Sequence, residues 1–309
     1  MTLISIGVPC FNEENTVLIF YNEILKVFSD LDESLKFEII FIDDGSKDNT
    51  LKVIKDISKK DERIKYIKFS RNFGKESAIY AGLKNSKGDY VVTMDVDLQD
   101  PPELLPEMVN YIKSGYDCVA TRRVTRKGEP IIRSWFSKLF YQTINKLSEV
   151  EFVDGVRDYR MMNRAMTNSV LSLSEYNRFS KGLFAWVGFE TKYLEFENIE
   201  REEGETSWSF FKLVKYSIEG FVSFSTSLLS IAIVLGILFS IISMVIILFI
   251  VIDNLLYSNP VPGWASTICS ILFIGGVQLF CIGLLGLYIS RTYLETKKRP
   301  IYISKEEKL

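Results

Sequence analysis

The sequence predicts an α/β domain with a mostly parallel sheet and helices on both faces, followed by amphipathic helices and two transmembrane helices. Three observations predict it. Short apolar runs alternate with helix-length stretches through the first 120 residues, as in chains that wind a parallel sheet. A polar cluster follows each of the first four runs, at the sheet edge where such folds bind ligands. Two stretches near the C-terminal end, residues 228–252 and 265–289, carry no charge and are each long enough to cross a bilayer.

Residues 3–9 (LISIGVP) form the first strand, and a helix is expected over 13–28. Residues 37–42 (FEIIFI) are a second buried strand ending at Asp43-Asp44-Gly45-Ser46, with a helix over 48–60. Residues 64–69 make a third strand, and Arg71 to Lys75 lead into a helix over 76–84. A fourth strand climbs to Asp95, and 118–121 is a fifth. No G-x-G-x-x-G fingerprint is present, which argues against a dinucleotide-binding domain.

The stretch YVVTMDVDLQDPP (90–102) is the chemical centre of the pattern. On a strand, residues two apart share a face, so Asp95, Asp97 and Gln99 are expected to project together. Clustered hard oxygen ligands suit Mg²⁺ or Mn²⁺, ions that commonly bridge to phosphate. An EF-hand is excluded, since Asp100 and Pro106 stand where that loop needs Gly and Glu. The alternative reading is a polar strand-to-loop junction.

Composition narrows the chemistry. The formal net charge is −2 and the sequence pI is near 5.6, so no broad basic surface exists for nucleic acid. The chain has no histidine, which removes imidazole acid–base chemistry and His-ligated zinc. Four cysteines form no C-x-x-C pair. The N-terminal residues lack a basic stretch ahead of a long apolar core, so the first part is expected in the cytosol.

Residues 131–147 carry an apolar helical stripe that is either core-facing or interfacial. Residues 208–226 carry a second stripe, read as an interfacial juxtamembrane helix. The link 253–264 has no Lys or Arg, whereas the tail beyond 290 has six, so both termini are expected to be cytosolic. The domain plan is therefore 1–207 catalytic, 208–226 juxtamembrane, 227–290 a transmembrane hairpin and 291–309 a basic cytosolic tail.

Taken together, VPCFNEE, IDDGSKDNT, SRNFGKE, GDYVVTMDVDLQDPPELLPEM, DYRMMNR and REEGETSW resemble, in order, the bacterial polyisoprenyl-phosphate (bactoprenol) glycosyltransferases. These are family-2 enzymes related to dolichol-phosphate mannose synthase. The resemblance covers nearly the whole chain. It implies a GT-A fold and inverting transfer of a sugar from a nucleotide sugar to a polyprenyl phosphate. Carried over by residue, it implies that Pro9, Phe11, Glu13, Asp43, Asp44 and Lys75 hold the nucleotide, and that Asp95, Asp97 and Gln99 hold the metal and diphosphate. It also implies that Arg122 (or Arg123), Arg133, Ser137 and Arg201 contact donor or acceptor phosphate, with Asp158 as the acidic residue of a D-[FY]-R motif. Phe11 replaces the family's more frequent Tyr. Ser207 stands where the mannose synthase has Lys, with Lys212 as a substitute.

The implied location is the bacterial cytoplasmic membrane, multi-pass, with the site facing the cytosol. A homo-oligomer, dimer or tetramer, is expected from the resemblance and from Gly275, Gly276, Gly283 and Gly286 in the second apolar stretch. Rival readings are a transferase acting on a saccharide or another lipid, a GDP-mannose-using mannose synthase, and a non-enzymatic scaffold. The chain lacks the Q-x-x-R-W motif usual in processive synthases.

Overall fold

The computed structural model describes residues 1–32, 34–124, 145, 150–196 and 263–309, together with scattered positions between 234 and 256. In chain order the elements are β1 (Thr2–Cys10), α1 (Val17–Ser29), β2 (Leu35–Asp43), α2 (Thr50–Lys60), β3 (Ile64–Phe69), α3 (Lys75–Asn85) and β4 (Tyr90–Thr93). A 3₁₀ turn at Pro102–Leu104 leads into α4 (Leu105–Lys113). Then come β5 (Cys118–Arg123), β6 (Val156–Asn163), α5 (Arg164–Ser172), α6 (Ser180–Trp186), β7 (Thr191–Phe196), α7 (Trp264–Thr296) and β8 (Ser304–Lys308).

These eight strands form one sheet in the order β7-β5-β6-β4-β1-β2-β3-β8. The first four run parallel to one another, and β7 runs parallel to β5. Only β6 and β8 run against the rest. The central strands read as continuous apolar runs because both faces are covered: Ile4, Ile6, Val8, Ile39, Ile40, Phe41 and Ile42 have no exposed surface. A polar line crosses this core, with Ser5 donating to Glu38 at 2.5 Å and Lys65 paired with the same carboxylate at 2.6 Å. Pairing across β1, β2 and β3 satisfies groups that would be costly to bury alone.

The first two helices start later than expected, at Val17 and Thr50, because side chains capture the intervening backbone. Thr50 Oγ1 accepts from the Glu13 amide at 2.7 Å, and Asp48 accepts from the Thr50 amide at 3.1 Å. Strand β4 ends at Thr93 rather than Asp95. Its last ladder bond is Met94 N to Gly7 O, beyond which residues 95–100 turn, with Leu98 at φ 55°. Asp95, Asp97 and Gln99 therefore leave from a turn, not from one face of a strand.

Two further departures concern the C-terminal part. The expected tail 291–309 contains β8, which pairs with the open edge of β3. Among the described residues one helix segment, Phe273–Thr296 within α7, is long and apolar enough to cross a membrane, so a second span is not established. A shorter apolar helix, Gly236–Ile246, falls in the first apolar stretch. Apart from Asn145, the expected helix over 131–147 lies outside the described residues, as do the whole of 208–226 and Arg133, Ser137, Arg201, Ser207 and Lys212.

Candidate active site

Parallel pairing of β1 to β4 brings four loops to one rim of the sheet. The first two are stitched reciprocally. Asn12, at φ 56°, accepts from the Lys47 amide at 2.9 Å while its own amide donates to Ser46 Oγ at 3.0 Å. Glu14 accepts from Asn49 N at 2.8 Å, and Asp48 accepts from Glu14 N at 3.2 Å. This holds Pro9, Phe11 and Glu13 beside the Asp43-Asp44 turn, with Phe11 44% exposed.

The two aspartates of that turn act differently. Asp43 is fully buried; one oxygen accepts from Ser46 N at 2.9 Å and the other, Oδ2, has no partner. Asp44 uses both oxygens on the next loop, accepting from Phe73 N at 2.6 Å and Gly74 N at 2.9 Å. Burial raises the Asp44 carboxyl, against the pull of those two amides. Gly45, at φ 73°, is required between them, since a Cβ there would lie 2.6 Å from the Arg71 carbonyl carbon.

Gly74 opens α3, and Lys75 is its first residue. The Lys75 ammonium lies 2.8 Å from Asp95 Oδ2 and 2.7 Å from Asp158 Oδ2. Burial opposes its charge, but the two carboxylates outweigh burial and raise its pKa. Burial likewise favours the neutral form of Asp158, yet Lys75 and then Lys181 hold its carboxyl far below the usual carboxylate range. Asp158 arrives on β6, whose reversed direction puts its N-terminal end on the same rim as the ends of β4 and β5.

Within the 95–100 turn, Asp97 Oδ1 accepts from Gln99 N at 3.3 Å. The Gln99 side chain accepts from Arg157 at 3.4 Å, and Arg157 Nε donates to buried Asp100 at 2.9 Å. Burial pushes the Asp100 carboxyl up to about 6 despite that arginine. Arg122 stands at the same rim on β5, donating to Asp154 O at 3.0 Å and facing Glu195 at 3.4 Å.

The structure thus gathers Pro9, Phe11, Glu13, Asp43, Asp44, Lys75, Asp95, Asp97, Gln99, Arg122 and Asp158 along one edge. Sequence reasoning missed Arg157, Asp100 and Lys181. Arg157 had a readable signal, a cation directly before the acidic residue of DYR. Lys181, whose amine donates to Val156 O at 3.0 Å and is lowered by burial, had none. Among the described residues no three acidic or sulfur side chains converge on one point. The donors that do lie here are all oxygens, which suits a hard divalent cation sharing its shell with a ligand's phosphates.

The family model for glycosyl transferase family 2 matches residues 5–171. CsbB of Bacillus subtilis (strain 168) is 45% identical over 304 residues, covering 98% of this chain and 92% of that protein. The bactoprenol glucosyl transferase of Shigella phage SfV is 40% identical over 305 residues, covering 99% of each chain. Among solved structures, a mannosyltransferase from Pyrobaculum calidifontis in complex with GDP-Man and Mn²⁺ superposes with a TM-score of 0.50 at 16% identity. That match covers 72% of this chain and 63% of the other and speaks to the fold alone.

Proposed function

The chain belongs to glycosyl transferase family 2, and from that premise we propose that it transfers a sugar from a UDP-sugar to polyprenyl phosphate at the cytosolic membrane face. The sugar is glucose or N-acetylglucosamine, and transfer inverts the anomeric carbon. One observation carries this reading: similarity to bactoprenol glucosyl transferases continues beyond the sheet domain through the apolar C-terminal helices. The outer faces of α7 support it, with Ile271, Leu279, Phe280, Ile282 and Ile289 each more than 60% exposed, as suits lipid contact.

In this reading the nucleotide lies on the loops after β1 and β2, against Pro9, Phe11 and Glu13, with the buried, unpartnered Oδ2 of Asp43 behind those loops. Asp44 acts through the 71–74 loop. Asp95, Asp97 and Gln99 would hold Mg²⁺ or Mn²⁺, which when bound supplies positive charge to the diphosphate leaving group. Lys75 adds a fixed cation beside them. The acceptor is a phosphomonoester with a second pKa near ~6, already mostly dianionic at neutral pH. It needs no strong base, which agrees with a chain without histidine and an Asp158 held ionised. Arg122, with Arg133 and Arg201, is assigned to the acceptor phosphate, where planar guanidinium forks fit best, and Ser137 is kept with the donor-binding residues.

Two spans with both termini in the cytosol, and a homo-oligomer assembled through the spans, complete the proposal. The glycines of α7 support that assembly, since a Cβ at Gly275, Gly276, Gly283 or Gly286 would meet nothing within 4 Å among the described atoms. The test is to incubate the full chain in membranes with undecaprenyl phosphate and a panel of radiolabelled nucleotide sugars. Label from a UDP-hexose should pass into solvent-extractable lipid with one nucleoside diphosphate released per sugar. Label passing to a saccharide or diacylglycerol, with polyprenyl phosphate inert, would overturn the reading.

A further inference from the structure

The segment that leaves the spanning helix grips the sheet domain at two places, one on each side of Lys75. The first grip is β8. Ile303 O accepts from Ser70 N at 2.9 Å, directly after β3, and Tyr302 stacks on Phe69 with centroids 4.8 Å apart and rings 20° from parallel. Phe69 in turn meets Phe73 edge-on at 5.7 Å. Phe73 and Gly74 are the residues whose amides Asp44 holds, and Lys75 follows them. The Tyr302 hydroxyl also accepts from Asn85 Nδ2 at 3.1 Å, at the other end of α3.

The second grip is Glu295, near the end of α7. Its carboxylate accepts from the Tyr176 amide at 2.9 Å and 3.1 Å. Four residues on, Ser180 donates through its amide, at 2.8 Å, and through its hydroxyl to Glu76. Glu76 is next to Lys75. Ile289 ends the apolar stretch, and at ~1.5 Å of rise per residue Glu295 stands only ~9 Å beyond it.

We propose that residues 295–308 position the active-site loop, with Tyr302 and Glu295 as the two positioning residues that keep Lys75 between Asp95 and Asp158. Packed aromatic contacts and paired backbone groups transmit such a constraint without either residue touching substrate. A displaced Lys75 would meet the leaving group poorly, and small misplacements are costly in catalysis. The spanning helix then sets the reach of the site as well as anchoring it. The inference rests on Lys75 being a donor-site residue, as assigned above.

The experiment uses the full chain in detergent micelles and reads amide hydrogen exchange together with kinetics. Tyr302→Ala should speed exchange at Phe73 and Gly74 by about tenfold, with amides of β1 and β2 unchanged. It should raise KM for the nucleotide sugar several-fold while leaving KM for polyprenyl phosphate near its original value. Tyr302→Phe keeps the stacked ring and should restore both readouts. Glu295→Ala, remote from the β8 core, should speed exchange at Ser180 and raise the same KM, and it carries the test if Tyr302→Ala does not fold. Unchanged exchange at these amides with unchanged donor KM would overturn the proposal, as would a uniform rise across the sheet. If the wild type transfers no sugar, the assigned activity fails, and the exchange data still decide whether the loop is braced.

Discussion

The Lys75 ammonium lies 2.7 Å from Asp158, a residue 83 positions away on a strand that runs against the one leading to Asp95. One cation thereby joins two carboxylates that would otherwise repel each other at the rim of the sheet. Removing it takes the shared cation from both carboxylates and leaves Asp158 to the weaker pull of Lys181. Lys75→Ala should lower kcat/KM by roughly 10²-fold or more, the loss expected on removing the fixed charge proposed at the leaving group. It should also lower the melting temperature. The double variant Lys75→Met/Asp158→Asn should regain stability and remain inactive; recovery of activity would show that the lysine is structural only.

Chelation tests the oxygen ligands. EDTA should abolish transfer, and Mg²⁺ or Mn²⁺ should restore it. Asp95→Ala and Asp97→Ala should each be inactive with an unchanged far-ultraviolet circular dichroism spectrum, because both are half-buried residues of a turn and lie outside the apolar core. Full turnover in excess chelator would remove the metal from the site.

The pH dependence separates substrate from protein. Asp158 is depressed by Lys75 and Lys181 against the effect of burial, so it stays ionised through the neutral range. A limb of falling activity below pH ~6 should follow protonation of the acceptor phosphate. It should persist in Asp158→Asn wherever residual activity can be measured. For stability the sign is that of a depressed carboxyl. Its contribution is present above the unfolded pKa, near ~3.9, and is lost as pH falls toward the folded value. Wild-type melting temperature should therefore drop more steeply below pH ~4 than that of Asp158→Asn, measured by scanning calorimetry.

Gly45 tests the contact between the second and third rim loops. Gly45→Ala places a Cβ 2.6 Å from the Arg71 carbonyl carbon at a backbone angle of 73°. It should cost about 1–3 kcal/mol of stability by denaturant titration. It should also weaken donor binding, because Asp44 and the 71–74 loop must part. Gly115→Ala is the comparison: its φ is also positive, but a Cβ there meets nothing within 4 Å and it lies away from the rim.

Much of the first half was legible because parallel strands buried on both faces write themselves as unbroken apolar runs. Residues 64–69 were read without error, and β1 and β2 to within two residues at each end. The polar rim followed from the rule that loops after such strands share one edge. What could not be read there were contacts between loops, such as Asp44 with Phe73 and Gly74, because they depend on strand order.

Local sequence by itself determined the α/β alternation, the apolar stretches and the residue types gathered at the rim, since each is written within a few neighbouring positions. Tertiary structure alone decided where β4 stops, which way β6 runs and that the tail becomes a strand. The run Ser304–Lys308 (SKEEK) has no apolar residue and no local reason to extend. It does so because β3 offers an edge of unpaired N–H and C=O groups, and pairing satisfies them. The same long-range pairing places Tyr302 under the loop of Lys75, a relationship that no periodicity in the chain encodes.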